Sequence, residues 1–198
     1  MPQRDSDAFT YSDGNLATVS SGKWTKLSGF ADLTVVSNKL QRTASGDSFS
    51  VITTWSGSTG DQYSQAVMST VASNAGPTLR SDGTSTMYLL ACNVGGSTTR
   101  VYKCVSGTFT QLDSVASVPS NGDTIYFEIQ GYAMISKFNT TVVNNFTDGG
   151  SAIATGKPGM YFSGTSPIFD DWAAGDFSTS LARQSYTVMQ AVHRSAAW

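Results

Sequence analysis

The chain reads as an all-β, antiparallel two-sheet sandwich of jelly-roll type, and three observations carry that reading. Apolar and polar residues alternate in Thr124-Ile-Tyr-Phe-Glu-Ile-Gln130, where Ile125, Phe127 and Ile129 share one face. Turn signals built from Gly, Asn, Asp, Ser and Pro recur about every 8 to 12 residues. No stretch before residue 180 sustains a helical period.

The elements follow in order. Asp7-Ala-Phe9 begins the first strand and Ser12-Asp-Gly14 turns it; Leu16, Trp24 and Leu27 follow in a Gly/Ser-rich meander. Leu33-Thr-Val-Val36, the turn Ser37-Asn38 and Lys39-Leu-Gln-Arg42 predict a short hairpin. Gly46-Asp47 opens a β-branched and aromatic strand from Phe49 to Trp55. Tyr63 to Val71 is the next, with Tyr63, Gln65 and Val67 on one side and Ala66 and Met68 on the other. Pro77-Thr-Leu-Arg80, Met87 to Asn93 and Arg100 to Val105 form a further group, and Phe109-Thr-Gln-Leu112 is a hairpin arm after Ser106-Gly107. Pro119-Ser-Asn-Gly-Asp123 is a strong turn before the strand at 124–130. Gly131 makes the corner into a strand from Tyr132 to Phe138, and Asn139-Thr-Thr141 turns into Val142-Val143. Gly156-Lys-Pro-Gly159 then leads into Met160-Tyr-Phe162, and Phe169-Asp-Asp-Trp172 closes the sandwich.

The 198 residues suit one domain, assigned to 1–177, with a C-terminal arm at 178–198. In that arm Ser178-Thr-Ser180 can cap a short helix, and Tyr186, Met189, Val192 and Trp198 are candidates for docking on a partner or on the domain itself. Charged residues make up 13% of the chain, against roughly 25% in an average protein. The net charge is −2 with no basic run, so nucleic acid is not an expected partner. The N-terminal residues lack the apolar stretch of a secretory signal, and no window reaches the length of a membrane span. Synthesis in the cytosol without a signal is therefore expected.

Cys92 and Cys104 flank the turn Gly95-Gly96-Ser97. A hairpin that pairs them would allow a cross-strand disulfide, whereas cytosolic synthesis favours free, half-buried thiols, which is the expectation here. Zinc is excluded for want of ligands, since there is no third cysteine and His193 is the one histidine.

Several motifs fall in a familiar order: Asp7-Ala-Phe9, Gly14-Asn-Leu16, Trp24, the Val36-to-Leu40 hairpin, Tyr88, Gly122-Asp123, Phe138-Asn139, Asp148, Gly156-Lys-Pro-Gly159 and Asp170-Asp-Trp172. Together they resemble the concanavalin A-like lectin/glucanase superfamily, which includes the laminin-G-like and legume-lectin-like jelly rolls, over roughly residues 5 to 177. The resemblance implies two curved sheets, one concave, with the N- and C-terminal strands side by side. It also implies kinship with lectins, glycan-binding modules, glucanases and domains of bacterial and bacteriophage proteins.

The superfamily's glucanases carry Glu-x-Asp-x-x-Glu, because glycoside hydrolysis needs two carboxyl groups about 5 to 9 Å apart. Here the one glutamate, Glu128, is followed at those spacings by Gln130 and Ala133. The expectation is therefore a protein that is not an enzyme and needs no cofactor, with calcium near Asp171 considered for its neighbour Asp170 and the adjoining Asp5 and Asp7. Lectin sites combine an aromatic platform with polar groups, which makes Tyr88, Tyr102, Tyr126, Glu128 and Tyr161 the glycan-binding candidates; Trp55 is a further aromatic, while Trp24 and Trp172 belong to the core or a sheet edge. The first functional reading is a bacteriophage virion component, a capsid decoration or accessory protein present in many copies and acting by protein–protein contact. The alternative is a carbohydrate-binding module or adhesin at a cell surface, recognising polysaccharide through the concave sheet.

Overall fold

The structure, a computed structural model, describes residues 3–55, 60–72, 74–164 and 167–177. In chain order the strands are β1 (Gln3–Asp7), β2 (Gly14–Asn15), β3 (Trp24–Lys26), β4 (Thr34–Val36), β5 (Lys39–Gln41), β6 (Ser48–Ile52), β7 (Gln62–Thr70) and β8 (Ala75–Ser81). They continue as β9 (Met87–Val94), β10 (Thr98–Val105), β11 (Thr108–Val115), β12 (Thr124–Gln130), β13 (Ala133–Phe138), β14 (Thr141–Thr147), β15 (Lys157–Phe162) and β16 (Ile168–Asp176). Pairing is antiparallel throughout these strands, in two sheets. A nine-stranded sheet runs β14-β13-β12-β7-β16-β5-β4-β2 with β1 added on β16, and a seven-stranded sheet runs β11-β10-β9-β8-β15-β6-β3. Among the described residues no helix is long and apolar enough to cross a membrane.

The alternation in β12 does what its pattern predicts. Ile125, Phe127 and Ile129 point between the sheets and join Phe9, Trp24, Leu90, Phe162 and Trp172 in the main core. Trp24 and Trp172 meet edge to face at 4.7 Å. Asp7 anchors this corner: its carboxylate accepts from the Phe9 N–H at 2.8 Å, the Tyr11 hydroxyl at 2.6 Å and the Trp24 indole N–H at 2.7 Å. Asp7 also pairs across the ladder with Trp172, so the first and last strands lie side by side as the resemblance implies. Ser37 and Asn38 both adopt positive φ, 53° and 59°, the backbone of the two-residue hairpin turn that fits strand twist.

Some expectations are corrected. The meander after Gly14 contains a one-turn helix, α1 (Leu16–Val19), whose Leu16 is buried. Cys104 pairs with Met87 and Cys92 with Ala75, so the hairpin register does not place the two sulfurs opposite one another. They belong to clusters on opposite faces of the sheet, Cys92 inward and Cys104 outward, and both are free and buried. Residues 178–198, with Tyr186, Met189, Val192 and Trp198, lie outside the described residues.

At one end of the sandwich Arg80, 2% exposed, ties three loops together. Its guanidinium donates to the carbonyls of Gly60, Ile153 and Gly131, each at 2.7 Å. A second buried knot joins the sheets: the Tyr88 hydroxyl and the Lys103 ammonium both donate to Asp148 at 2.8 Å. Burial alone would raise the Asp148 pKa, but these two donors and the Gly150 N–H outweigh it and hold the carboxyl below its ordinary value.

Candidate functional site

The seven-stranded sheet curls into a trough, and its outward face lines the inside. Phe49 on β6 and Phe109 on β11 are five strand spacings apart, about 24 Å on a flat sheet. Their rings nevertheless stack with centroids 6.4 Å apart. Two phenylalanine side chains cannot span a flat sheet of that width, so the sheet must bend to bring its margins together. Small residues permit the bend. Gly76 pairs with Tyr161, and a Cβ there would sit 2.2 Å from the Leu90 carbonyl oxygen; one at Gly159 would sit 2.2 Å from that of Ser50.

Inside the trough the side chains bury one another. Leu27, Phe49, Val51, Met87, Leu89, Ala91, Cys104 and Tyr161 form a second apolar cluster, with Phe30 and Tyr102 packed against it. Phe49 is held between Phe30 and Tyr161, both at 4.5 Å between ring centroids. Beside this stack a cavity of about 210 Å³ remains, lined by Asp47, Asn74, Ala91, Tyr102, Phe109 and Tyr161. Ala91 contributes a short side chain while three aromatic rings surround the space. Two groups give it polarity: the Asp47 carboxylate, and Asn74, whose Oδ1 is buried with no hydrogen-bond partner among the described residues. Burial pushes the Tyr161 phenol up to about 12, with Asp47 adding to the rise. Tyr161 therefore stays protonated at neutral pH.

The five candidate residues go to three places. Tyr102 and Tyr161 meet at the trough cavity. Tyr88 lies in the main core with its hydroxyl on Asp148, where a ligand cannot reach it. Tyr126 and Glu128 occupy the outward face of the other sheet. There Tyr126 stacks on Tyr63 at 5.4 Å and carries the Lys137 ammonium 4.7 Å above its ring. Glu128, the polar candidate, is 5% exposed and lies 3.6 Å from Lys137. Burial and the hydrogen bond to Glu128 raise the Tyr126 pKa. A cavity of about 260 Å³ opens beside Tyr126, Lys137, Asn139 and Thr140, where the Tyr126 ring is already engaged by Tyr63 and Lys137. Trp55 packs against the main core.

For calcium, Asp171 stands exposed at a bulge of β16, and its own N–H donates to Asp170. Asp170 faces Lys39, and Asp5 and Asp7 face Lys23. Among the described residues no group of three or more His, Cys, Asp or Glu side chains is placed to hold a metal ion.

Sequence reasoning did not single out Asp47, Asn74 or Phe109 for the site. Phe109, on the neighbouring strand β11, pairs with Cys104, so the hairpin at Ser106-Gly107 already sets it on the Tyr102 face, whereas Asp47 and Asn74 come from turns outside the strands.

No protein-family model matches the chain, and no curated protein matches it. Solved structures do. The carbohydrate binding module CBM66 from Bacillus subtilis superposes with a TM-score of 0.60 at 16% identity, covering 75% of this chain and 91% of the module. The fold is the concanavalin A-like jelly roll. A Bacillus subtilis protein with a galectin-like fold also gives 0.60, at 11% identity over 89% of this chain and 96% of its own. The β-glucanase of Bacillus licheniformis gives 0.52 at 11% identity, covering 90% of this chain and 99% of the enzyme. This last similarity corrects the expectation that the chain is not an enzyme. The same fold over nearly the whole chain serves a glucanase, so the fold by itself does not exclude turnover.

Proposed function

We propose that the trough of the seven-stranded sheet binds a saccharide. The observation that carries this reading is the convergence of Tyr102, Phe109 and Tyr161 on one cavity beside Asp47 and the unpartnered Asn74 Oδ1. A sugar ring has an apolar C–H face and a rim of hydroxyls. Aromatic rings take the first, and a carboxylate and an amide oxygen accept from the second. At about 210 Å³ the cavity is smaller than the ~300–1,000 Å³ of sites for drug-sized molecules, so it takes one sugar residue, terminal or within a chain. The likeness to a carbohydrate binding module supports the ligand class. This reading places the protein at work where polysaccharide is accessible, at a cell surface or outside the cell. The virion reading leaned on the arm at 178–198, outside the described residues, and the glycan reading takes precedence over it.

A glycan array probed with the wild-type protein, Tyr102→Ala and Lys137→Ala tests the proposal. The wild type and Lys137→Ala should bind the same glycans, and Tyr102→Ala should lose them. An array on which the wild type binds nothing would overturn the reading, as would binding that is lost in Lys137→Ala and kept in Tyr102→Ala.

A further inference from the structure

We infer that the saccharide taken by the trough is acidic, carrying a carboxylate or sulfate that pairs with Arg100; the inference rests on the glycan reading above. Arg100 lies on β10, directly across the ladder from Ala91, which lines the cavity. Its Nη1 donates to the Tyr102 hydroxyl at 3.3 Å, so the guanidinium sits beside an aromatic wall of the site. Its Nε is buried and has no hydrogen-bond partner among the described residues.

The other arginines of the described residues are engaged differently. Arg4 pairs with Asp176 and Arg80 with Asp61, while Arg42 donates to the carbonyls of Ala44 and Ser163. No ion pair of Arg100 with a carboxylate occurs among the described residues. A guanidinium keeps its charge at every relevant pH, and a buried N–H donor without an acceptor is costly. An anionic group on the ligand removes that cost and matches the planar fork of donors, which a neutral hydroxyl does less well. Asp47, which also lines the cavity, disfavours an anion at its own side and accepts from ligand hydroxyls instead. The two charges thus orient the ligand, acid group toward Arg100 and hydroxyls toward Asp47.

Calorimetric titration with three oligosaccharides of equal length tests this: an oligogalacturonate, a sulfated galactan fragment and a neutral β-glucan fragment. At low salt at least one acidic ligand should bind about tenfold or more tighter than the neutral one, and the two acidic ligands distinguish carboxylate from sulfate. Arg100→Gln should weaken acidic binding about tenfold to a hundredfold and leave neutral binding within about threefold, with Arg100→Lys restoring part of the loss. Equal binding of neutral and acidic ligands by the wild type overturns the inference, as does an Arg100→Gln protein with an unchanged acidic-to-neutral ratio. The wild-type ratio decides the matter even if Arg100→Gln fails to fold. Binding of the neutral ligand alone, lost in Tyr102→Ala, sinks this inference and leaves the glycan reading intact; a wild-type protein that binds none of the three, nor any glycan on the array, sinks both.

Discussion

Gly76→Ala should lower stability far more than a single methyl group suggests, because Gly76 is where the trough floor is tightest. Its Cα partner on β15 is Tyr161, and Ala75 beside it pairs with Cys92, which puts Ala91 across the ladder on β9. An added Cβ would lie 2.2 Å from the Leu90 oxygen and 3.2 Å from its carbonyl carbon, and the strands must part until the shorter gap reaches at least 3.0 Å. The obstacle is backbone, so no rotamer change relieves it. Overpacking of a filled interior together with a weakened ladder hydrogen bond costs about 2–4 kcal/mol. For a chain of this size that lowers Tm by about 5–15 °C. Gly149 is the control, since a Cβ there meets nothing within 4 Å and its φ is not in the left-handed region. Urea denaturation of Gly76→Ala, Gly149→Ala and the wild type measures the difference. If Gly76→Ala unfolds at the same midpoint as Gly149→Ala, close strand approach is not what shapes the trough.

Other outcomes follow from the buried polar groups. Arg80→Met leaves three loop carbonyls without their donor and should destabilise by about 3–5 kcal/mol, read as a fall in urea midpoint. The Asp148 carboxyl is held below its ordinary pKa in the folded state, so its contribution is complete above the unfolded carboxyl pKa and is lost as pH falls through the folded value. Stability should therefore drop on acidification below about pH 4, and Asp148→Asn, though less stable at pH 7, should show a shallower drop there. Burial raises the pKa of both Cys92 and Cys104, so a thiol reagent at pH 8 should leave both unmodified in the native protein and label both in urea.

Much of the fold was legible because its signals are local. The period of two in β12 and the positive-φ pair Ser37-Asn38 each act within a few residues. Tyr88 was harder to place, since it stands in the continuous apolar run Met87-Tyr-Leu-Leu-Ala-Cys92. Both faces of that strand are buried, one by the main core and one by the trough, and alternation then cannot say which way a residue points. The alternation of β12 sets Glu128 opposite the face of Ile125, Phe127 and Ile129. The burial of Glu128 involves Tyr63, its ladder partner on β7, and Lys137, which pairs with Tyr126 two residues away and reaches it diagonally. The site itself was least legible. Tyr102 on β10 and Tyr161 on β15 are separated by β9 and β8 in the sheet, and Phe109 meets Phe49 only because the sheet bends. Strand order and curvature are long-range properties that composition and spacing do not encode.

The most direct test of the trough as the binding site is amide chemical-shift mapping. Isotope-labelled protein is titrated with an oligosaccharide that it retains on the array. The largest shifts should fall on Ala91, Arg100, Tyr102, Phe109 and Tyr161. Shifts concentrated instead on Tyr63, Tyr126, Lys137 and Asn139, with the trough silent, would contradict the account.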